Sequence, residues 1–422
     1  MKVLFVHQNF PGQYRHVAPR LAAGGHAVLG LGEEPNVRRQ LGATPGVKCL
    51  GYRMPPEEVA AKPGVLGRSL ESALRRAGVV ARAAARIRAG GFVPDVVCAH
   101  IGWGEAIFLK DVFPEAQLQL YCEFFYRPEG SDVGFDPEFP SGKDVRLRLR
   151  LMNAPLLLAL QACDAGLTAT RWQHAQLPAE FSARVSVVHE GIDTQRVAPR
   201  ADAELQLPGT GLRLTAREQV VTYTTRNFEP YRGFHIFMRA LPEIQRRCPR
   251  ARIVLVGGDR VSYSPRLPEG QTYRARALKE VGHKLDMDRV HFLPWLAYEQ
   301  YVSLLQISAA HVYLTYPFVL SWSLLESMAA GCHVIASRTA PVEEVARDGE
   351  NAVQVDFFSP QEIAQQVERA LREPEKFREM RQRARETVVQ GYDLERHCLP
   401  RQLALIEQLA GLSAPAAPAP AP

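Results

Sequence analysis

The chain opens on a short apolar run, Lys2-Val3-Leu4-Phe5-Val6, and then turns polar at Gln8-Asn9-Phe10-Pro11-Gly12. A helical period follows from Tyr14 to Ala23, stops at Gly24-Gly25, and gives way to a second apolar run from Ala27 to Leu31. Strand, glycine-bearing turn, helix, strand is a βαβ unit, and strands apolar on both faces imply a parallel sheet. The rhythm continues at Val96 to Ala99, Leu118 to Cys122, Gly166 to Thr168 and Val185 to Val188. It restarts after a polar stretch near residues 194 to 215, with strands expected at 220–224, 253–256, 290–293, 310–314, 333–336 and 352–355. Two successive series of similar size predict two Rossmann-like α/β domains with parallel sheets facing across a cleft. The expected boundaries are 1–200 and 201–395, with a helix over 396–412 crossing back to the first domain. The Pro/Ala tail 413–422 has no means of packing and is expected to be disordered.

The length of 422 residues suits two domains. A net charge of +6 suits an anionic ligand or an anionic membrane surface but is too diffuse to imply nucleic acid. Seven widely spaced cysteines without a C-x-x-C read as reduced thiols of a cytoplasmic protein, not as a zinc site or disulfide frame. No leader and no membrane-length apolar run is evident, so the expected location is cytoplasmic, at most peripheral at the inner membrane face.

The most informative segment runs from Tyr316 to Ala336, a strand end feeding a helix rich in small residues, then Gly331 and another strand. A helix N-terminus there suits a diphosphate. Spacing alone favours a plainer role for Glu326, as partner of Ser323 in a capping box. Upstream, Thr224 to Gly233 places Arg226 and Arg232 at a βα turn, where two cations can neutralise a leaving diphosphate.

These segments resemble the signature of family 4 retaining glycosyltransferases, which have the GT-B fold. Glu326 matches the second glutamate of the family's pair and is thereby implied to hold the donor ribose. The first glutamate position is Phe318, an apolar departure that removes an acceptor for sugar hydroxyls. The backbone of Val319, Leu320 and Ser321 is expected to meet sugar and phosphates. Arg226 matches the family's arginine, and Arg232 stands where a lysine is usual. Gly257, Leu293 and Pro294 match the glycine turn and the base-recognising backbone, and Glu344 matches a glutamate after the donor site. His189-Glu190-Gly191-Ile192-Asp193 resembles the domain-junction motif, with Glu190 in place of asparagine.

In the first domain Gly12 lies where the family lets backbone approach the donor. His100, Trp103 and Glu105 fall at one strand end and Glu123 at the next, where open α/β sheets bind ligands. Glu123 occupies a position at which many family members carry a histidine beside the anomeric carbon, so His100 and Glu123 are candidates for the reacting centre. His7 and His16 read as packing and loop residues. Asp286-Met287-Asp288 fits a metal-binding string, but its place before a strand makes it a turn, and no metal is expected. Arg68, Arg75, Arg82 and Arg86 share a helix face opposite Leu70, Leu74, Ala81 and Ala84, which suits either solvent or a membrane surface.

The resemblance thus implies transfer of a sugar, with retention, from a nucleoside diphosphate sugar to a hydroxyl of a carbohydrate, lipid-linked or small-molecule acceptor. No cofactor beyond that co-substrate is expected. A sugar-nucleotide epimerase or hydrolase, and a non-catalytic donor-binding partner of another transferase, are the competing readings.

Overall fold

The structure is a computed structural model and describes residues 1–55 and 67–412; the tail expected at 413–422 lies outside them. The chain divides into two compact units. The first comprises Met1–Gly191 and the chain from Glu395 onward, the second Ile192–Leu394. The boundary therefore falls before residue 200. The segment leading into the second unit is tied there by Arg385, which donates to the carbonyls of Thr194 and Val197, and by Gln306, which donates to that of Ala198.

The first unit is built on seven parallel strands: β1 (Lys2–Val6), β2 (Ala27–Glu33), β3 (Lys48–Tyr52), β4 (Val96–His100), β5 (Gln117–Tyr121), β6 (Ala165–Thr168) and β7 (Val185–Val187). Their order is β3-β2-β1-β4-β5-β6-β7. Strand β3 escapes the apolar-run pattern because only Tyr52 along it is buried. Leu4, Val6, Val97, Ala99, Leu118 and Leu120 pack with Val80 and Ala84 of helix Arg68–Ala89 and with Leu156 and Leu160 of helix Val145–Ala162. Each such leucine or valine withdrawn from water contributes roughly 1.5–3 kcal/mol. The helix Leu399–Leu409 belongs to this unit, where Gln402 donates to the His189 carbonyl at 3.0 Å.

Helix Arg68–Ala89 turns a different face inward from the one its sequence suggests. Ala73, Ala77, Val80, Ala84 and Ile87 are buried, whereas Leu74 is 42% exposed, and Arg76 pairs with Glu33 at 2.9 Å. Alanine on both sides blurred the apolar stripe. Exposed leucines cluster instead on helix Val145–Ala162, at Leu147, Leu157 and Leu158.

The second unit holds a hairpin, β8 (Glu204–Gln206) and β9 (Arg213–Thr215), within the stretch that reads as polar. Leu205 lies opposite Leu214, and both are buried beside Val220 and Val254. Its main sheet comprises β10 (Val220–Asn227), β11 (Arg252–Gly258), β12 (Val290–Leu293), β13 (Ala310–Tyr313), β14 (Val334–Ser337) and β15 (Val353–Val355). All pairings in it are parallel, in the order β12-β11-β10-β13-β14-β15. In each sheet the strand order reverses once, at β1/β4 and at β10/β13. Connections on either side of such a point diverge and leave a crevice at the carboxyl ends of the strands. All seven cysteines are unpaired, and all but Cys49 are buried. No helix among the described residues is long and apolar enough to cross a membrane.

Two buried histidines set an acid limit on the second unit. Burial depresses the His311 imidazole to about 3 and, with help from Arg381 and Arg369, that of His333 to about 4. Both rings are neutral when folded, while an unfolded histidine titrates near 6.5. Below that value the unfolded chain binds the extra protons, so stability falls as pH drops from about 6.5 to 4, by at most about 1.4 kcal/mol per pH unit for each ring. Urea melts across this window should show that slope, and His333→Gln should make it shallower. A slope unchanged by the substitution would contradict the assignment.

Candidate functional site

At the β10/β13 reversal, Arg232 sits in a short turn, Pro230–Arg232, closed by Gly233. Gly233 has φ +66, and a Cβ there would lie 2.4 Å from that of Leu314, so only glycine lets this turn press against β13. One nitrogen of the Arg232 guanidinium donates to Thr315 Oγ1 at 2.8 Å and to the Val319 carbonyl at 3.2 Å. The Tyr313 hydroxyl beside it accepts the Ser321 N–H at 3.0 Å. Arg232 thereby fixes the approach to helix Trp322–Ala329. Arg226 is different: it is exposed at the end of β10, and among the described residues its guanidinium has no side-chain partner. Its carbonyl accepts from Trp295 Nε1 at 2.6 Å, one residue beyond Pro294, which is itself exposed, while Leu293 is buried in the core.

Glu326 does not cap its helix. The N-cap is Ser321, whose hydroxyl accepts the Ser323 N–H, so Glu326 lies a full turn inside. Its carboxylate instead accepts from the hydroxyls of Tyr298 at 2.8 Å and Tyr301 at 2.9 Å, both on helix Tyr298–Gln306. The capping-box reading is thus corrected by the helix starting two residues earlier than Ser323 would allow. The side chains of Phe318 and Leu320 are buried: Phe318 packs 4.9 Å from the Tyr263 ring and 5.6 Å from Tyr231, while Leu320 joins the core. The Ser321 N–H, expected to face a ligand, is taken by Tyr313.

Glu229 organises the neighbouring loop. One of its carboxylate oxygens accepts three successive backbone N–H groups, from Ser262, Tyr263 and Ser264, at 3.1, 3.0 and 3.0 Å. That holds the Tyr263 ring 5.7 Å from the Arg232 guanidinium. Gly257 packs where a Cβ would meet Phe228 at 2.9 Å.

The β1/β4 reversal in the first unit carries a second polar group. His7 follows β1, His100 ends β4 and Glu123 lies just past β5. The Asn9 N–H donates to His7 Nδ1 at 2.9 Å, and the Gly102 N–H donates to His100 Nδ1 at 2.9 Å. A nitrogen that accepts cannot carry the proton, so both rings hold it on Nε2. His7 Nε2 donates to Gln13 Oε1 at 2.7 Å, Gln13 Nε2 donates to Glu123 Oε1 at 3.3 Å, and His100 Nε2 stands 3.5 Å from Glu123 Oε2. Trp103 stacks on His100 at 4.2 Å. Burial, then the neighbouring His100, hold the His7 imidazole well below its usual range. Glu105 points elsewhere: it is buried, accepts from the Tyr52 hydroxyl, and is pushed up from the usual carboxylate range by burial.

Gly12, with φ +50, is obliged by the same cluster, because a Cβ there would lie 2.5 Å from His7 Nε2. His7 is therefore more than the packing residue its sequence implies. Gln13, Tyr298, Tyr301, Tyr263 and Glu229 carry no sequence motif and emerge only from contacts. The one signal among them is the pair Tyr298 and Tyr301, three apart on one helix face. Asp286 behaves as a turn residue, capping Met287–Arg289 and pairing with Arg289 at 2.6 Å.

Two family profiles match the chain: "Glycosyl transferase family 4 group" over residues 24–197 and "Glycosyl transferases group 1" over residues 214–387. A stretch of 201 residues is 30% identical to the D-inositol 3-phosphate glycosyltransferase of Rhodococcus jostii (strain RHA1), covering 44% of this chain and 42% of that protein. The chain thus matches less than half the length of that relative. Among solved structures, sucrose-phosphate synthase from Thermosynechococcus elongatus superposes with a TM-score of 0.73 at 17% identity, covering 98% of this chain and 100% of that one. HepE of Anabaena, solved with UDP and glucose, gives 0.65 at 16% identity with the same coverage. At these identities the structural likeness speaks to the fold.

The tyrosine bracket has a measurable cost of removal. Tyr301→Phe deletes a donor to a buried carboxylate and should lower stability by about 1–3 kcal/mol, read as a reduced urea midpoint with an unchanged slope.

Proposed function

The chain belongs to the family 4 glycosyltransferases and has their GT-B fold, and from that premise we propose that it moves a sugar, with retention, from a nucleoside diphosphate sugar to an acceptor hydroxyl. The observation that carries this reading is the grouping at the β10/β13 reversal. Arg232 is anchored on Thr315 and the Val319 carbonyl, and the exposed Arg226 guanidinium is left to engage a ligand.

In this reading both guanidinium groups neutralise the diphosphate as the glycosidic bond breaks, and no metal is required for that charge. Arg232 serves as the fixed member, oriented before the ligand arrives. Glu326, steadied by two phenols, receives the ribose hydroxyls, and the Leu293-Pro294 backbone meets the base. The departing phosphate oxygen takes the acceptor proton on the same face. Glu123 lines the acceptor side, with the fully covered His100 behind it. UDP-sugars are the first donors to test, since HepE was solved with UDP and glucose.

A lipid-linked acceptor is favoured by one specific observation. Helix Val145–Ala162 exposes Arg146, Leu147, Arg148 and Arg150 in its first turns and Leu157 and Leu158 near its end, apolar and cationic side chains suited to an anionic bilayer. Co-sedimentation with vesicles containing anionic lipid, lost in Leu147→Glu/Leu158→Glu, is the expected result. Equal recovery of both proteins with the vesicles would exclude this contact.

Arg226→Ala should lower kcat/KM by about 10²- to 10³-fold and shrink the thermal shift given by UDP. Unchanged turnover would remove Arg226 from the reaction. Conversion of donor without any acceptor would favour an epimerase or hydrolase instead.

A further inference from the structure

We propose that Gln13 is a positioning residue of the acceptor side: it converts the fixed tautomer of His7 into a fixed orientation of the Glu123 carboxylate. The proposal rests on the sugar-transfer reading for its consequence, but on geometry alone for its content.

An amide side chain is ambiguous in itself, because its oxygen and nitrogen can be exchanged by a half-turn. Here the ambiguity is removed from one end. The Asn9 N–H occupies His7 Nδ1, so His7 Nε2 must be the donor and Gln13 must offer it oxygen. The amide nitrogen is then turned toward Glu123 Oε1. His100, locked in the same tautomer by the Gly102 N–H, holds its Nε2 3.5 Å from Glu123 Oε2, near enough for electrostatic attraction but without a hydrogen bond. Glu123 thus accepts from the Gln13 amide on Oε1 and has the neutral His100 ring beside Oε2. Its main chain is held as well, since Gln173 Nε2 donates to the Glu123 carbonyl at 2.6 Å and Thr170 Oγ1 donates to Gln173 Oε1 at 2.9 Å.

Two features make this arrangement more than a buried network. The Glu123 side chain keeps 29% of its surface open, whereas that of His100 is fully covered. The group also lies at the strand-order reversal, where the sheet opens to ligands. The amide donor on Oε1 favours the ionised carboxylate, which only accepts hydrogen bonds. The exposed part of this carboxylate is suited to a hydroxyl of a polyol acceptor. A bulky apolar acceptor group in the same place would strand the charge. The titratable groups around Glu123 include His7 and His100 from the ends of β1 and β4, Tyr121 from β5 together with the Glu190 to which that hydroxyl donates, and Glu105, which interacts with His100.

The test is Gln13→Leu in the full chain, which keeps bulk near His7 while deleting the donor. The titration of Glu123, followed by carbon NMR of labelled glutamate and assigned with Glu123→Gln, should move to higher pH because the ionised form loses a donor. With a UDP-sugar donor, kcat/KM should fall about 10- to 100-fold through loss of acceptor orientation, its acid limb should move the same way, and the UDP thermal shift should persist. His7→Leu, which frees the amide to turn over, should reproduce the effect in part. An unmoved Glu123 titration in a folded Gln13→Leu protein overturns the proposal, as does a shifted titration with unaltered kcat/KM. A wild-type protein that transfers no sugar, combined with a shifted titration in Gln13→Leu, would refute the sugar-transfer reading and uphold the positioning.

Discussion

A parallel sheet gathers its strand ends on one edge, and the polar groups that collect there must be satisfied without the help of a neighbouring strand. That constraint governs both units. In the first, three histidines at or just beyond the ends of β1, β4 and β7 solve it in the same way. His7, His100 and His189 each accept at Nδ1 the N–H of the residue two positions ahead, at 2.9, 2.9 and 3.0 Å. Each ring closes its own turn and keeps a single defined donor for a partner side chain. In the second unit the corresponding edge is satisfied by an arginine, whose guanidinium reaches Thr315 and the Val319 carbonyl across the reversal of strand order.

The two edges differ in chemistry. The first unit offers an amide donor, neutral imidazoles and a partly exposed carboxylate. The second offers two guanidinium groups, one anchored and one exposed, together with a carboxylate bracketed by phenols. In the proposed reading the first set meets a hydroxyl acceptor and the second a sugar diphosphate.

Most of the architecture was legible in the chain because buried parallel strands write themselves as uninterrupted apolar runs; β1, β4, β10 and β11 are examples. Elements with little buried surface were not. Strand β3 buries only Tyr52, and the β8/β9 hairpin alternates so briefly that it reads as a polar connection. On helix Arg68–Ala89 small residues on every side hid which stripe faces the core. For the site, spacing and resemblance picked out Arg226, Arg232 and Glu326, but the capping-box reading of Glu326 failed because nothing local told Ser321 from Ser323 as the helix start. Gln13 was invisible for a more general reason. Its role exists only through His7 on one side and Glu123, 110 positions away, on the other, and no local pattern encodes that closure.

The loop held by Glu229 carries a consequence for ligand recognition. Three consecutive amides folded around one oxygen make the kind of concavity that in many nucleotide-binding proteins receives a phosphate. Here the chain has filled it with an anion of its own. In the sugar-transfer proposal, phosphate recognition in this unit is thereby handed from main-chain dipoles to side-chain cations. Part of that grip, through the exposed Arg226, lies in solvent, where rising ionic strength weakens charge attraction. On that proposal, affinity for a diphosphate ligand is accordingly tied to the salt around the protein.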